Sequence, residues 1–336
     1  MTHDELKTML AEASKVFVLT DANVAMYWLP ELEHWLGCEQ AVEIVVKAGE
    51  RYKTLGTVRR IWKALLKHNA DRQAVLVNLG GGTVSDMGGF AASCYQRGIR
   101  FVNVPTTLLA MVDASIGGKN GVDLGGCKNQ IGTFAEPEEV LVNPIFLSTL
   151  SDRELLSGIA EMVKCGFIAD EDLLGVTVDN YEQYILRAGK IKKEIVEQDF
   201  RDRNKRQVLN FGHTVGHALE AYSLTTDTPL THGEAVALGM WCALWLSIRQ
   251  CGLREEVLAD YEPVMNGLLA HAELPFETVD MEAVLRLLSH DKKNRDGAWR
   301  FVLLKAVEKP LVDQEVGDGL VCESLVELLK CLDDRP

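Results

Sequence analysis

Residues 208–220, VLNFGHTVGHALE, set His213 and His217 four apart within a helical pattern. Side chains at i and i+4 stack on one helical face, so the two imidazoles could grip one metal ion, as they do in zinc proteases. The glutamate that follows the first histidine of those proteases is missing, since Thr214 holds its place. Taken alone, the pair reads first as two core histidines bonded to backbone carbonyls. Two other segments change that balance. Between Leu155 and Ala169 of SDRELLSGIAEMVKCGFIAD (151–170), the only charged residues are Glu161 and Lys164, one helical turn apart. A surface ion pair there would be worth less than ~1 kcal/mol. Among Ile159, Met162, Val163, Phe167 and Ile168, however, a charge needs a partner or a metal, and Glu161 reads as a carboxylate ligand. In LTHGEAVALGM (230–240), Thr231 and Glu234 have capping-box spacing, which puts His232 in the first helical turn. A helix start disfavours a charged imidazole, and a neutral ring is the form a metal requires. One glutamate and two histidines make an N2O set suited to zinc, with a coordination position left for substrate or water.

Glycines and cations supply the second kind of chemistry. NLGGGTVSDMGGFAA (78–92) follows the strand pattern AVLVNL and precedes a helix of small residues. Such a turn lets backbone N–H groups approach a pyrophosphate at a helix start. The spacing is not GxGxxG, and close helix packing through Gly88 and Gly89 is an equal reading. In VPTTLLAMVDASIGGKNGVDLGGCKNQIGTF (104–134), glycines and small residues separate Asp113, Lys119, Lys128 and Asn129, with Thr106 and Thr107 just after a strand. A loop this long, too apolar for disorder, is expected to be functional. Lys192, Arg206, Arg97, Lys292 and Lys293 each read singly as solvated charges. Recurring beside glycine turns and candidate ligands in an acidic chain, they point to an anionic substrate.

These residues need a frame. Strand patterns at 16–21, 42–50, 74–82 and 99–105 alternate with helical ones, as at 57–70, which predicts a parallel α/β sheet. From residue 151 the patterns are nearly all helical, with strand character only near 299–307. The expectation is an α/β nucleotide-binding domain over 1–150 and a mainly α-helical metal- and substrate-binding domain over 151–336. A chain of 336 residues exceeds what one core usually organises. Its net charge of −14 argues against nucleic acid or an anionic membrane as the main partner. Eight cysteines without a CxxC pair, behind a start that lacks a secretory pattern, read as reduced thiols of a cytoplasmic protein. The nearly uncharged run 235–248 is shorter than the ~20 residues a membrane span needs and predicts a buried helix.

From about Val16 to Val307 the chain resembles the 3-dehydroquinate synthases, carrying GGGTVSDMGGFAA, RGIRFVNVPTTLLAMVDASIGGKNGVD, KNQIGTF, GIAEMVKCGFI, LNFGHTVGHALE, HGEAVALGM and DKKNRDG in the family's order. The resemblance implies a homodimeric enzyme with Zn2+ (or Co2+) and tightly held NAD+. It would convert 3-deoxy-D-arabino-heptulosonate 7-phosphate to 3-dehydroquinate and phosphate in the shikimate pathway, the route to aromatic amino acids. It implies Glu161, His213 and His232 as metal ligands, and His217, Lys164, Asp113 and Asp202 as catalytic positions around the substrate. Arg97, Lys119, Asn129, Lys192, Arg206, Asn210 and one of Lys292 and Lys293 would bind the substrate. NAD+ positions fall on Asp21, Asn23, Glu50, Lys53, Gly81, Gly82, Thr83, Asp86, Thr106, Thr107 and Lys128, and on Phe146, Leu147, Ser148 and Thr149. Three departures stand out: Asp202 where glutamate is usual, Phe200 at a commonly acidic position, and Asn120 where threonine is commoner. The rival readings are a sugar phosphate cyclase acting on sedoheptulose 7-phosphate or glucose 6-phosphate, and a metal-dependent polyol dehydrogenase, which would release NADH.

Overall fold

A computed structural model describes residues 3–38, 40–125, 127–274, 281–289 and 299–333. The chain divides into two compact units, Met1–Leu150 and Ser151–Pro336. In the first, α1 (His3–Ala11) leads to β1 (Val16–Asp21), α2 (Ala22–Leu36), β2 (Val42–Val46), α3 (Leu55–Lys67), β3 (Val75–Gly80), α4 (Gly82–Cys94) and β4 (Arg100–Pro105). Then come the hairpin strands β5 (Lys119–Leu124) and β6 (Cys127–Phe134), and a short β7 (Glu139–Val140). Five strands form one parallel sheet in the order β2-β1-β3-β4-β7. Every residue of β3 is buried, as expected of a parallel strand covered on both faces.

The order reverses between β1 and β3, and their carboxyl ends flank the crevice where open α/β sheets take ligands. Asp21 ends one strand and Gly80 the other. Helix α4 contains three glycines, counting its first residue, and has little intrinsic helix propensity, so packing must hold it. A Cβ on Gly88 would lie 1.9 Å from Asn78 Oδ1, and one on Gly89 would lie 1.9 Å from Asn120 Oδ1. The helix therefore rests directly on β3 and β5, and at these two glycines the close-packing reading holds. Asn78 is buried in the sheet and donates to Asn103 Oδ1, its register partner on β4, at 2.9 Å. Asn103 in turn donates to Ser115 O at 3.1 Å, which ties the turn after β4 to the sheet.

Two expectations need correction. Residues 104–134 are not an irregular loop. They form a π-helical turn, Ala110–Ala114, and then the antiparallel hairpin β5–β6, with Val122 in the core. Gly121 faces Gly132 across the hairpin, where a Cβ on Gly132 would meet Asn120 O at 2.3 Å. Residues of low strand propensity thus pair because nothing bulkier fits. Strand character in the second half also extends beyond 299–307.

The second unit contains α5 (Asp152–Ile168), α6 (Ile185–Gln198), α7 (His213–Ser223), α8 (His232–Cys251), α9 (Glu256–Leu268), α10 (Met281–Ser289), β8 (Trp299–Ala306), β9 (Lys309–Val316) and α11 (Asp318–Asp333). Strand β9, absent from the sequence expectation, pairs antiparallel with β8. Helix α5 is buried throughout Leu156–Ile168 and α8 throughout Gly233–Ser247, the mark of central helices. Among the described residues no helix is long and apolar enough to cross a membrane. No disulfide joins any of the eight cysteines.

Helices α7 and α8 meet at backbone distance. A Cβ on Gly239 would lie 1.9 Å from Gly212 O and 2.7 Å from Gly216 N, and one on Gly216 would lie 2.9 Å from Ala235 O. Only glycine permits this approach, which carries the α7 histidines toward the start of α8. Gly239→Ala should destabilise the protein by about 3 kcal/mol through overpacking against backbone. Gly267→Ala, pointing into open space on α9, should be neutral or stabilise by up to ~1 kcal/mol. Urea denaturation of the two variants checks the contrast.

Candidate functional site

Glu161 is the centre of the helical unit's polar cluster. It lies midway along α5 with 1% of its surface exposed. Its Oε1 faces His232 Nε2 at 3.3 Å and His213 Nε2 at 3.5 Å, and its Oε2 forms an ion pair with Lys164. Among the described residues, neither oxygen has a partner of normal hydrogen-bond geometry. Burial pushes the Glu161 carboxyl up, but Lys164 and His232 outweigh burial and hold it down at about 2. The ligand atoms of Glu161, His213 and His232 lie within 4.8 Å of one another. A tetrahedral ion with bonds of about 2.0–2.1 Å has ligand atoms roughly 3.3–3.4 Å apart, close to the two distances here.

The far side of each imidazole is also held. His213 Nδ1 meets Phe211 O at 3.0 Å, and His232 Nδ1 lies 3.6 Å from Glu220 Oε2. This is how ligating histidines are oriented, with one ring nitrogen on a carbonyl or carboxylate and the other toward the ion. His217, Glu220 and His232 form a second possible cluster. It would use His232 through Nδ1 and leave Nε2 against Glu161, so the Glu161 set fits an ion better. His217 stands beside both histidines, its ring centroid 5.0 Å from that of His213 and 5.9 Å from that of His232.

The three histidine environments differ. Burial, reinforced by Lys164, pushes His213 well below the ordinary imidazole range. Burial acts the same way on His232, but Glu161 and Glu220 raise it to about 10.

Cations read singly as solvated prove buried: Lys192 on α6 at 7% exposure and Arg206 at 3%. Arg206 follows a loop gathered around Asp199, whose carboxylate accepts from the backbone N–H groups of Arg203, Asn204 and Arg206 at 2.7–3.1 Å. Its guanidinium donates to Phe200 O at 2.8 Å. Asp202 sits in that loop at φ 54°, a left-handed conformation that aspartate tolerates better than most residues. Asn210 donates to Gln207 O at 3.0 Å. Helix α5 packs against both α6 and the turn Lys205–Asn210, so Lys164, Lys192, Arg206 and Asn210 stand on adjoining elements.

In the α/β unit a second polar cluster surrounds Lys53. Its ammonium contacts Asp86 Oδ2 at 2.6 Å, Asn129 Oδ1 at 2.7 Å and Glu50 Oε1 at 3.4 Å, while Thr83 donates to Glu50 Oε2. Burial alone would lower the Lys53 pKa, but Asp86 and Glu50 raise it instead. Burial likewise opposes Glu50, which Lys53 and Lys128 nevertheless hold below the usual carboxylate range. Asn129 is thus joined to residues assigned to the nucleotide.

The glycine turn is hemmed in. A Cβ on Gly81 would meet Thr107 Cγ2 at 3.0 Å, and one on Gly82 would meet Ala114 at 2.9 Å, which brings Asp113's turn alongside. Thr106 Oγ1, buried just after β4, has no hydrogen-bond partner among the described residues, as suits a site for a polar ligand. Asp21 Oδ1 accepts from Asn23 N at 2.9 Å and so caps α2. Trp28 of α2 donates to Thr149 Oγ1 at 2.9 Å and stacks edge-on against Phe146, holding the Pro144–Thr149 turn.

Not every assigned residue gathers. Arg97 lines a separate surface pocket with Arg100, Thr133, Glu136 and Glu138, which no other assigned residue among the described ones lines. Lys292 and Lys293 lie outside the described residues. Arg153 and Ser157, which dock the start of α8, went unnoticed in the sequence, although they precede Glu161 at intervals of four.

With a glycine turn at a sheet's switch point in one unit and a Glu–His–His set in the other, the chain is similar to the sugar phosphate cyclases. Two solved members match over nearly the whole chain. A 2-deoxy-scyllo-inosose synthase, complexed with carbaglucose-6-phosphate, NAD+ and Co2+, is 27% identical with a TM-score of 0.84, covering 96% of this chain and 94% of its own. A 2-epi-5-epi-valiolone synthase from Streptomyces hygroscopicus, with NAD+ and Zn2+ bound, is 27% identical with a TM-score of 0.82, covering 94% and 91%. The chain belongs to the 3-dehydroquinate synthase family, whose N-terminal profile matches residues 43–157 and whose C-terminal profile matches 158–294. The 3-dehydroquinate synthase of Parabacteroides distasonis is 38% identical over 320 residues, 93% of this chain and 90% of that protein.

The His232 environment yields a prediction about pH. With its pKa raised to about 10, His232 would hold a proton at pH 7.5, and a divalent ion taken up by the Glu161–His213–His232 set would have to displace it. Zn2+ binding to chelator-treated protein should release about one proton at pH 7.5, and affinity should rise as pH increases. Titration calorimetry in two buffers of different ionisation enthalpy measures that number.

Proposed function

We infer that this chain is a 3-dehydroquinate synthase, a lyase that converts 3-deoxy-D-arabino-heptulosonate 7-phosphate to 3-dehydroquinate and phosphate. Family membership points there, and the single observation that carries the reading is the convergence of Glu161, His213 and His232 beside a buried lysine. That set suits Zn2+ or Co2+. The crevice formed by Asp21, Gly80–Gly82, Thr106 and the Lys53 cluster suits NAD+. When bound, NAD+ supplies a transient hydride acceptor and the divalent ion a Lewis acid for the oxidised hydroxyl, which makes loss of phosphate by β-elimination feasible.

The protein's own groups have separate tasks. Glu161, His213 and His232 would hold the ion; Glu220 and Phe211 O orient the two rings from behind. Lys164, Lys192 and Arg206 would hold the substrate's phosphate and carboxylate by charge-assisted hydrogen bonds, with Asn210, Lys119 and Asn129 as neutral or exposed supplements. His217, outside the ligand set but beside it, would carry a proton at the substrate, as would Asp113 and Asp202. Glu50, Lys53, Thr83 and Asp86 would fix the nucleotide at the start of α4, where the helix dipole favours its phosphates.

The direct test incubates purified protein, Zn2+ and NAD+ with the heptulosonate phosphate. One phosphate per turnover should appear without net NADH. Accumulating NADH, or phosphate only from sedoheptulose 7-phosphate or glucose 6-phosphate, would refute the assignment. Lys192→Met should lower kcat/KM by about 10–100-fold, the loss of one charged hydrogen bond, while leaving zinc content intact. Steady-state kinetics together with metal analysis checks both halves.

A further inference from the structure

We propose that Arg153 and Ser157 are positioning residues of the metal centre: one face of α5 docks the first turn of α8 rung by rung and so fixes where His232 stands relative to Glu161. The proposal rests on the Glu161–His213–His232 set being the metal site. Arg153, Ser157 and Glu161 follow one another at intervals of four and share a helical face. Opposite them stand Glu234, Gly233 and His232, taken one residue at a time.

At the first rung, Arg153 forks onto Glu234, Nε to Oε1 at 2.6 Å and Nη2 to Oε2 at 2.7 Å, and Nη2 also donates to Pro229 O at 2.9 Å. Glu234 is 2% exposed, and a carboxylate so buried requires such a partner. The same Glu234 closes the capping box, accepting from Thr231 N at 2.7 Å while Thr231 Oγ1 accepts from Glu234 N. The fork therefore fixes the cap and, through it, Thr231 and Glu234 on either side of the His232–Gly233 pair.

At the second rung, Ser157 Oγ accepts from Gly233 N at 2.9 Å. That N–H belongs to the first turn of α8, which lacks partners within its own helix. A Cβ on Gly233 would lie 2.3 Å from Ser157 Cα and O, so the two backbones are in contact and the residue after His232 has no freedom to slide. The third rung is Glu161 Oε1 to His232 Nε2 at 3.3 Å. A ligand pair taken from two helices keeps its spacing only if those helices keep theirs, and the first two rungs set it.

The test measures Co2+ affinity by chelator competition, and the visible absorption of the Co2+ protein, for Ser157→Ala, Arg153→Met and Arg153→Lys. Arg187→Ala is the control. Arg187 also forks onto carboxylates of this unit, Asp170 and Asp172, but on an exposed surface. Ser157→Ala and Arg153→Met should weaken Co2+ binding by about 10–100-fold, as lost supporting contacts of a metal site do, and should alter the absorption bands. Arg153→Lys, which keeps the charge and loses the fork, should recover only part of the affinity. Arg187→Ala should match wild type. Wild-type affinity and spectrum in folded Ser157→Ala would overturn the proposal even if Arg153→Met failed to fold. A wild-type protein that takes up no Co2+ would overturn the metal reading itself, and this proposal with it.

Discussion

The helical unit depends on the placement of one ionised carboxylate where water does not reach. Moving an unpartnered carboxylate out of water is costly enough that the group would normally take up a proton instead. Glu161 does not, because Lys164 and His232 stand against it and hold its pKa at about 2 despite burial. That requirement explains features that otherwise look unrelated. Helix α5 must be central for Glu161 to be buried, and α8 must begin, not pass, at this point so that His232 can turn inward. Helices α7 and α8 must touch through glycine so that His213 arrives from a third direction.

The α/β unit solves the opposite problem with a cation. Lys53 is nearly as buried as Glu161, yet its ammonium is reinforced by Asp86 and Glu50 and steadied by Asn129. These partners come from α4, from the turn after β2 and from β6, so one lysine ties the glycine turn to the hairpin. Thr83 and Asp86 lie in the first turns of α4, and their contacts with Glu50 and Lys53 fix that helix start. A rigid helix start with its charges already paired is suited to hold an anion through the backbone.

Local patterns show in the sequence, and distant contacts do not. Strands β1, β3 and β4 are rich in β-branched residues, with β3 closed by glycine and β4 by proline, and the helix starts at Ser151 and Thr231 carry caps, so these elements could be read directly. Glu161 stood out because it and Lys164 are the only charges along the apolar body of a helix. The hairpin β5–β6 was hidden because its strands are built from Gly, Asn, Lys and Asp, whose pairing depends on how closely two backbones can approach. Strand β9 was hidden by Pro310 and by its charged residues. Lys192 and Arg206 were read as solvated because burial is a property of the surrounding helices, which no local window contains. Arg153 and Ser157 were hidden for the same reason: their partners are about eighty residues away.

Charge accounting connects the buried carboxylate to the kind of substrate. With both carboxylates ionised, Glu161 and Glu220 contribute two negative charges, and Lys164 with a protonated His232 contributes two positive ones, so the pocket is neutral. Exchanging the His232 proton for a divalent ion leaves one positive charge in excess, at the start of α8, where the helix dipole adds to it. In a low-dielectric pocket such an excess favours a ligand that brings negative charge with it. A neutral polyol would leave the imbalance standing, whereas a phosphorylated sugar acid brings negative charge that offsets this excess together with the charges of the neighbouring Lys192 and Arg206. The burial of Glu161 thus bears on which substrates the pocket can accept, as well as on which metal ion it can hold.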